Sequence, residues 1–109
     1  TYGNEATPGI ERRPDGGFTL HLEEPITFKP SKMDEEKTVD RLEFPAKIRG
    51  KHMKAMDQAE GEMGKTLALI AKLANIPRHA ADELDSRDIG RAMEVIEPFL
   101  PHAPATGNR

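Results

Sequence analysis

Apolar and polar side chains alternate strictly over residues 18–22, which places the apolar ones on a single face of a β-strand. Pro25 cannot donate to the β-ladder, but Ile26 and Phe28 stay in phase with the apolar residues before it. We therefore expect the strand to bend at Pro25 or to lie at a sheet edge there. Residues 37–44 read as a second strand that pairs back on the first. The sequence therefore predicts an antiparallel β-hairpin.

A hairpin alone is only marginally stable in water, so its apolar face needs a cover. Residues 65–74 combine strong helix formers with apolar side chains on most of the circumference, which is typical of a buried helix that ends at Asn75. Residues 50–58 predict a short helix, with a break near Gly61. A last helix with apolar residues at i, i+3, i+4 and i+7 is expected to begin at Ser86 as N-cap. The predicted fold class is α+β: an N-terminal antiparallel β-hairpin followed by a small helical bundle of about three helices.

The chain of 109 residues has room for one hydrophobic core. Residues 1–16 are rich in glycine, proline and charge and predict a flexible N-terminal tail. Residues 17–101 then form a single α+β domain, and residues 102–109 form a flexible C-terminal tail.

The charge balance argues against binding driven by a strong overall field. The chain has 16 basic and 19 acidic residues, a net charge of −3, so any basic patch for nucleic acid or an anionic membrane must be local. No cysteine is present, which removes disulfides, thiolate nucleophiles and cysteine zinc sites and suits a reducing cytoplasm. No apolar run approaches the roughly 20 residues that span a bilayer, so we expect no membrane partner.

No residue pattern indicates catalysis. Gly64-Lys65-Thr66 resembles the end of a phosphate-binding loop, but the buried strand that such a loop must follow is missing. The four histidines lack metal-ligand spacing, and the acidic residues of the 82–88 segment are better explained by electrostatics at a helix start. We expect no catalytic residues, no metal and no cofactor, and therefore a protein that is not an enzyme.

Three methionines and a basic stretch predict the binding surface. Methionine side chains adapt to a partner helix, although core filling is the more common role for any one of them. The basic residues of segment 47–54 fit a solvated face, an acidic protein partner or, as an alternative function, a small regulatory module that binds nucleic acid. The candidate partner-binding residues are Arg49, Lys51, Met53, Lys54, Met56 and Met63.

The order of five short segments resembles the tail assembly chaperones of long-tailed bacteriophages, over about residues 18–100. The segments are Phe18-Thr19-Leu20-His21-Leu22 with Pro25-Ile26, then Val39-Asp40-Arg41-Leu42-Glu43-Phe44-Pro45, then Leu69-Ile70-Ala71-Lys72-Leu73-Ala74-Asn75-Ile76-Pro77, then Leu84-Asp85-Ser86-Arg87-Asp88-Ile89, and Val95-Ile96-Glu97-Pro98-Phe99-Leu100. These are structural signatures, and their specificity comes from order and spacing together. A longer polar N-terminal segment and a charged loop at residues 31–37 depart from the family pattern.

The resemblance implies a phage or prophage protein that binds the tape measure protein, keeps that long helical polypeptide soluble and helps recruit tail tube subunits. It implies a place in the host bacterial cytoplasm and absence from the mature virion. Family members are often also made in a longer, frameshift-extended form. A structural tail component is an alternative, and self-association is left open.

Overall fold

A computed structural model describes residues 9–100 of the chain. The strands are β1 (Ile10–Arg12), β2 (Phe18–Phe28) and β3 (Lys37–Phe44). The helices are α1 (Gly50–Met53), a 3₁₀ helix (Lys54–Gln58), α2 (Gly61–Ala74), α3 (Arg78–Ala81), α4 (Ser86–Ile96) and a closing 3₁₀ turn (Glu97–Phe99). The mixed architecture, with strands first and helices after them, confirms the broad prediction.

The three strands form an antiparallel sheet in the order β1-β2-β3. Between the pairs His21–Arg41 and Ile26–Val39, the four β2 residues 22–25 face a single β3 residue, Asp40. This irregularity lies at Pro25, where the sequence predicted a bend, because proline cannot donate to the ladder. The hairpin of β2 and β3 is therefore confirmed, with its register shifted in the middle.

Strand β1 corrects the prediction that residues 1–16 form a flexible tail. Its residues pair with β2, with Ile10 opposite Leu20. Arg13 fastens the following turn, because its guanidinium donates to the backbone oxygens of Phe18 and Phe44, each at 2.8 Å. Three residues with one apolar side chain are too few to show an alternating pattern, so the sequence did not reveal this strand. The remaining parts of both predicted tails, residues 1–8 and 101–109, lie outside the described residues.

Helix α2 is the central buried helix that the sequence predicted. It begins at Gly61, four residues before the predicted start, and Gly61 has a φ of +76°. It ends at Asn75, whose left-handed φ of 60° caps the helix as expected. The buried residues of α2 are Leu67, Ala68, Leu69, Ile70, Ala71 and Leu73.

The predicted bundle of about three helices is not confirmed. Residues 9–100 contain four α-helices, but α1 and α3 have only four residues each. The longer α2 and α4 contact β3 and β2 respectively, and α3 also contacts β2, so the helices pack on the sheet as a layer. The core joins both layers through Leu20, Leu42, Ile70 and Ile96, which are all at most 2% exposed.

The N-cap of α4 is Asp85 and not Ser86, the residue that the sequence favoured. The Asp85 carboxylate accepts a hydrogen bond from the backbone N–H of Arg87 at 2.8 Å. Both residue types are good caps, so the sequence could not decide between neighbours. Within residues 9–100, no helix is both long enough and apolar enough to cross a bilayer.

Candidate functional site

Two of the three predicted methionines lie together in a surface groove. Met53 at the end of α1 and Met56 in the 3₁₀ helix line it with Lys54, Asp57 and Lys65, and its volume is about 320 Å³. We call this depression the methionine groove. Met56 is half-buried and packs against the core, whereas Met53 is half-buried without being part of that packing.

The groove is built on two short elements that contact α2. Neither α1 nor the 3₁₀ helix contains a buried residue. The backbone then becomes extended at Ala59 and Glu60 before Gly61 redirects it into α2. This reversal brings the 3₁₀ helix against the first turns of α2, and so places Lys65 beside the two methionines.

Met63, the third predicted methionine, does not line the groove. It is 58% exposed in the first turn of α2. Since an α-helix turns by roughly 100° per residue, Met63 and Lys65 point about 160° apart around the axis. Met63 therefore lies on a different side of α2 from the methionine groove, and the structure does not bring the three methionines into one patch.

Of the predicted cations, only Lys54 lines the groove. Arg49 at the N-cap of α1 and Lys51 within α1 are exposed. Burial lowers the pKa of His52 below its ordinary value of 6.5, and the charges of Lys51, Lys72 and Arg49 lower it further. The side chains of Lys51, Lys72 and Arg49 therefore lie near enough to His52 to disfavour its protonated form.

The sequence analysis missed Lys65 and Asp57 as lining residues. Lys65 was considered only as part of a phosphate-binding loop, and nothing local in the sequence shows that residues 53–57 fold back onto it. In the structure Gly64, Lys65 and Thr66 lie inside α2. Helical backbone N–H groups donate to the carbonyl four residues earlier, so this segment does not form a cradle for phosphate.

A second depression, of about 820 Å³, lies between the 3₁₀ helix, α2 and α3. We call it the alanine cleft, because Ala55, Ala59, Ala68 and Ala71 line it. Some polar side chains at its rim already have partners within the chain. Arg78 forms an ion pair with Asp82, and a ring nitrogen of His79 lies 3.0 Å from the backbone oxygen of Lys29. In a sequence, alanines indicate that a helix forms and not that a cavity lies beside it. The sequence therefore did not predict this cleft.

Asp88 differs most from the prediction that electrostatics at a helix start explain the acidic segment. It is fully buried, and its carboxylate accepts hydrogen bonds from the backbone N–H groups of Glu23, at 2.9 and 3.1 Å, and Glu24, at 3.3 Å. Arg91 donates to the same carboxylate. These two amides lie in the stretch of β2 that has lost its regular β3 partner, so Asp88 serves the fold, beyond any effect on the helix dipole.

The acidic segment offers no shared site. Asp82 pairs with Arg78, Asp85 caps α4 and Asp88 ties α4 to β2. Across residues 9–100, the structure gathers no group of three or more histidine, aspartate or glutamate side chains that could hold a metal ion.

Comparisons with known protein families, with curated proteins and with solved structures found no match to the chain.

Proposed function

We propose that the protein is a phage tail assembly chaperone that binds the tape measure protein during tail assembly. In this role it keeps the tape measure protein soluble and helps recruit tail tube subunits. The order of sequence segments suggests this identity. The observation that carries the binding function is the methionine groove, where two methionines lie among charged side chains and α1 and the 3₁₀ helix have no buried residues.

A chaperone must hold an unassembled segment and later release it. Methionine suits this task, because its unbranched thioether side chain adapts to different apolar partners. The groove volume of about 320 Å³ is near the lower end of the roughly 300–1,000 Å³ typical of ligand pockets. It therefore fits the side chains of about one helical turn and favours shallow, reversible helix-in-groove binding.

A small nucleic-acid-binding module is the second candidate, because Arg49, Lys51 and Lys54 are exposed. Single-strand binders usually add aromatic side chains on which bases stack, and residues 47–54 contain no phenylalanine, tyrosine or tryptophan. Met53 and Met56 also give the groove apolar side chains, which contacts to a phosphate backbone do not use. These features favour a protein partner.

Co-expression with the tape measure protein tests the proposal. We expect the tape measure protein to be soluble and to copurify with the chain, and to aggregate when it is expressed alone. If its solubility is the same with and without the chain, and nothing copurifies, the chaperone function is wrong. Recovery of the chain in stoichiometric amounts from purified virions would instead support a structural tail component.

Salt dependence separates the protein partner from nucleic acid. Phosphate contacts release counterions, so nucleic-acid affinity falls by about 10³ to 10⁵ between low and moderate salt when several contacts are made. Apolar groove binding should lose far less over the same range. Capture of the tape measure protein should therefore persist in salt that removes binding to a DNA duplex.

A further inference from the structure

The cations around the methionine groove have no ion-pair partner in the described part of the chain. Within residues 9–100 no lysine forms an ion pair, whereas Arg13, Arg41, Arg78, Arg87 and Arg91 pair with carboxylates, so the cations near the groove are distinguished by their position. Lys54 and Lys65 line the groove, Arg49 and Lys51 lie at the start of α1, and Lys72 lines the alanine cleft; the exposed Glu60 and Glu62 belong to the same stretch of chain.

The methionine groove combines apolar and positive side chains in a definite arrangement. Met53 and Met56 provide its apolar part, and Lys54 and Lys65 come from two different elements, the 3₁₀ helix and α2. Asp57 is the single carboxylate among the lining residues, so two positive charges face one negative charge. A partner that complements this groove has an apolar centre with more negative than positive charge around it.

We infer that the occupant of the methionine groove is an acidic amphipathic α-helix. Apolar side chains one helical turn apart contact Met53 and Met56, and carboxylates on the flanks of that helix lie near Lys54 and Lys65. Arg49, Lys51 and Lys72 extend the same attraction beyond the groove. This inference rests on the proposed function, because the helix would belong to the tape measure protein.

The expected contribution of the lysines is to selectivity and association. Exposed charge pairs add little affinity because water and salt screen them. They do steer encounters and penalise partners of the wrong sign, so an acidic helix should be favoured over a basic helix with the same apolar face.

A pair of designed helical peptides of about 20 residues provides the probe, since shorter peptides are marginal helices. Both carry leucines at i, i+3, i+4 and i+7, and one has glutamates where the other has lysines. Fluorescence anisotropy should show the wild-type chain binding the acidic peptide at least about tenfold more tightly than the basic one. The double variant Lys54→Glu, Lys65→Glu should abolish this preference.

The matched control is the double variant Lys32→Glu, Lys37→Glu, which makes the same charge change at exposed positions outside the groove. It should keep the wild-type preference. Equal binding of both peptides, no binding of either, or equal loss in both double variants would overturn the inference. Tighter binding of a DNA duplex than of the acidic peptide, lost in the groove variant, would overturn it in favour of nucleic acid.

Co-purification separates this inference from the proposed function. If the tape measure protein copurifies equally with wild type and with Lys54→Glu, Lys65→Glu, the chaperone function stands and the acidic-helix inference is wrong. If the wild type fails to capture the tape measure protein but discriminates between the peptides, the proposed function is wrong and the charge selectivity of the groove stands.

Discussion

Asp88 is the residue on which the junction between α4 and the sheet most depends. Its two carboxylate oxygens accept hydrogen bonds from the backbone N–H groups of Glu23 and Glu24. The Arg91 guanidinium donates to Asp88 and also to the Glu23 carboxylate, the latter at 3.1 Å. A buried amide left without an acceptor costs about 1–3 kcal/mol. One side chain therefore compensates for the break that Pro25 introduces into β2.

Replacing Asp88 by alanine should lower the free energy of unfolding by about 3–5 kcal/mol, because Arg91 and two amides of β2 would lose their buried partner. Urea denaturation would measure this loss. The exposed Glu83 in the same acidic segment provides the control, and Glu83→Ala should change stability by less than about 0.5 kcal/mol. Equal effects of the two substitutions would mean that Asp88 does not anchor β2.

At the scale of elements, α1 depends on the protonation state of His52. Nδ1 of this ring accepts the backbone N–H of Arg49 at 2.9 Å, at the start of the helix. Only a deprotonated Nδ1 can accept this bond. Since burial and then the nearby charges lower the pKa of His52 in the folded chain, folding favours the neutral ring.

The pH dependence follows from that lowered pKa. As the pH falls, the His52 ring of the unfolded chain takes up a proton around its ordinary pKa of 6.5, before the ring of the folded chain does. The stabilisation by His52 is therefore complete above pH 6.5 and decreases as the pH falls through 6.5 towards the folded pKa. NMR titration should show the His52 ring titrating below 6.5, with lower protection of the α1 amides, relative to their intrinsic exchange rates, at the acid end. A His52 pKa at or above 6.5 would contradict this account.

Elements with a sustained apolar pattern could be predicted from the sequence; of the short elements, the helix expected over residues 50–58 is present as α1 and the 3₁₀ helix, but others were missed. Strands β2 and β3 and helices α2 and α4 each have enough residues to show their period. Strand β1 has three residues, and α3 has four, so neither has a readable period. Their formation depends on contacts with β2 and α2 that are distant in sequence.

The candidate site could be predicted only in part for the same reason. Met53, Lys54 and Met56 lie within four residues of one another, so a local stretch revealed them. Lys65 joins them because the chain reverses at residues 59–61, which is a tertiary effect. Met63 was expected beside them, but its phase on α2 places it elsewhere. The alanine cleft arises from the packing of three elements and has no sequence signal of its own.

At the scale of the whole molecule, one core joins the sheet and the helices. Leu20 and Leu42 of the sheet belong to the same buried cluster as Ile70 of α2 and Ile96 of α4. Ile70→Ala and Ile96→Ala should each cost about 2–5 kcal/mol, because each leaves a cavity in that shared core. Calorimetry should give one transition for each variant at a lower Tm. Separate transitions for sheet and helices would contradict a shared core.

Residues that stabilise the fold and residues proposed to bind the partner are largely separate. Met63 is 58% exposed and Met53 lies outside the packed core, whereas Met56 packs against it. Replacing Met53 by glutamine should therefore weaken capture of the tape measure protein while shifting the Tm by only a few degrees. Met56→Gln should lower binding and Tm together, because it places an amide against apolar core residues.

Met63→Gln is the control that tests whether the groove, and not methionine content, determines binding. Its side chain is exposed and does not line the groove, so both Tm and capture should stay near the wild-type values. Pull-down and thermal unfolding on the same three variants give the comparison. If Met63→Gln weakens capture as much as Met53→Gln does, the partner contacts the exposed side of α2 as well. If Met53→Gln captures the partner at wild-type strength, the contact lies outside the groove, and the alanine cleft becomes the better candidate because it is the larger depression.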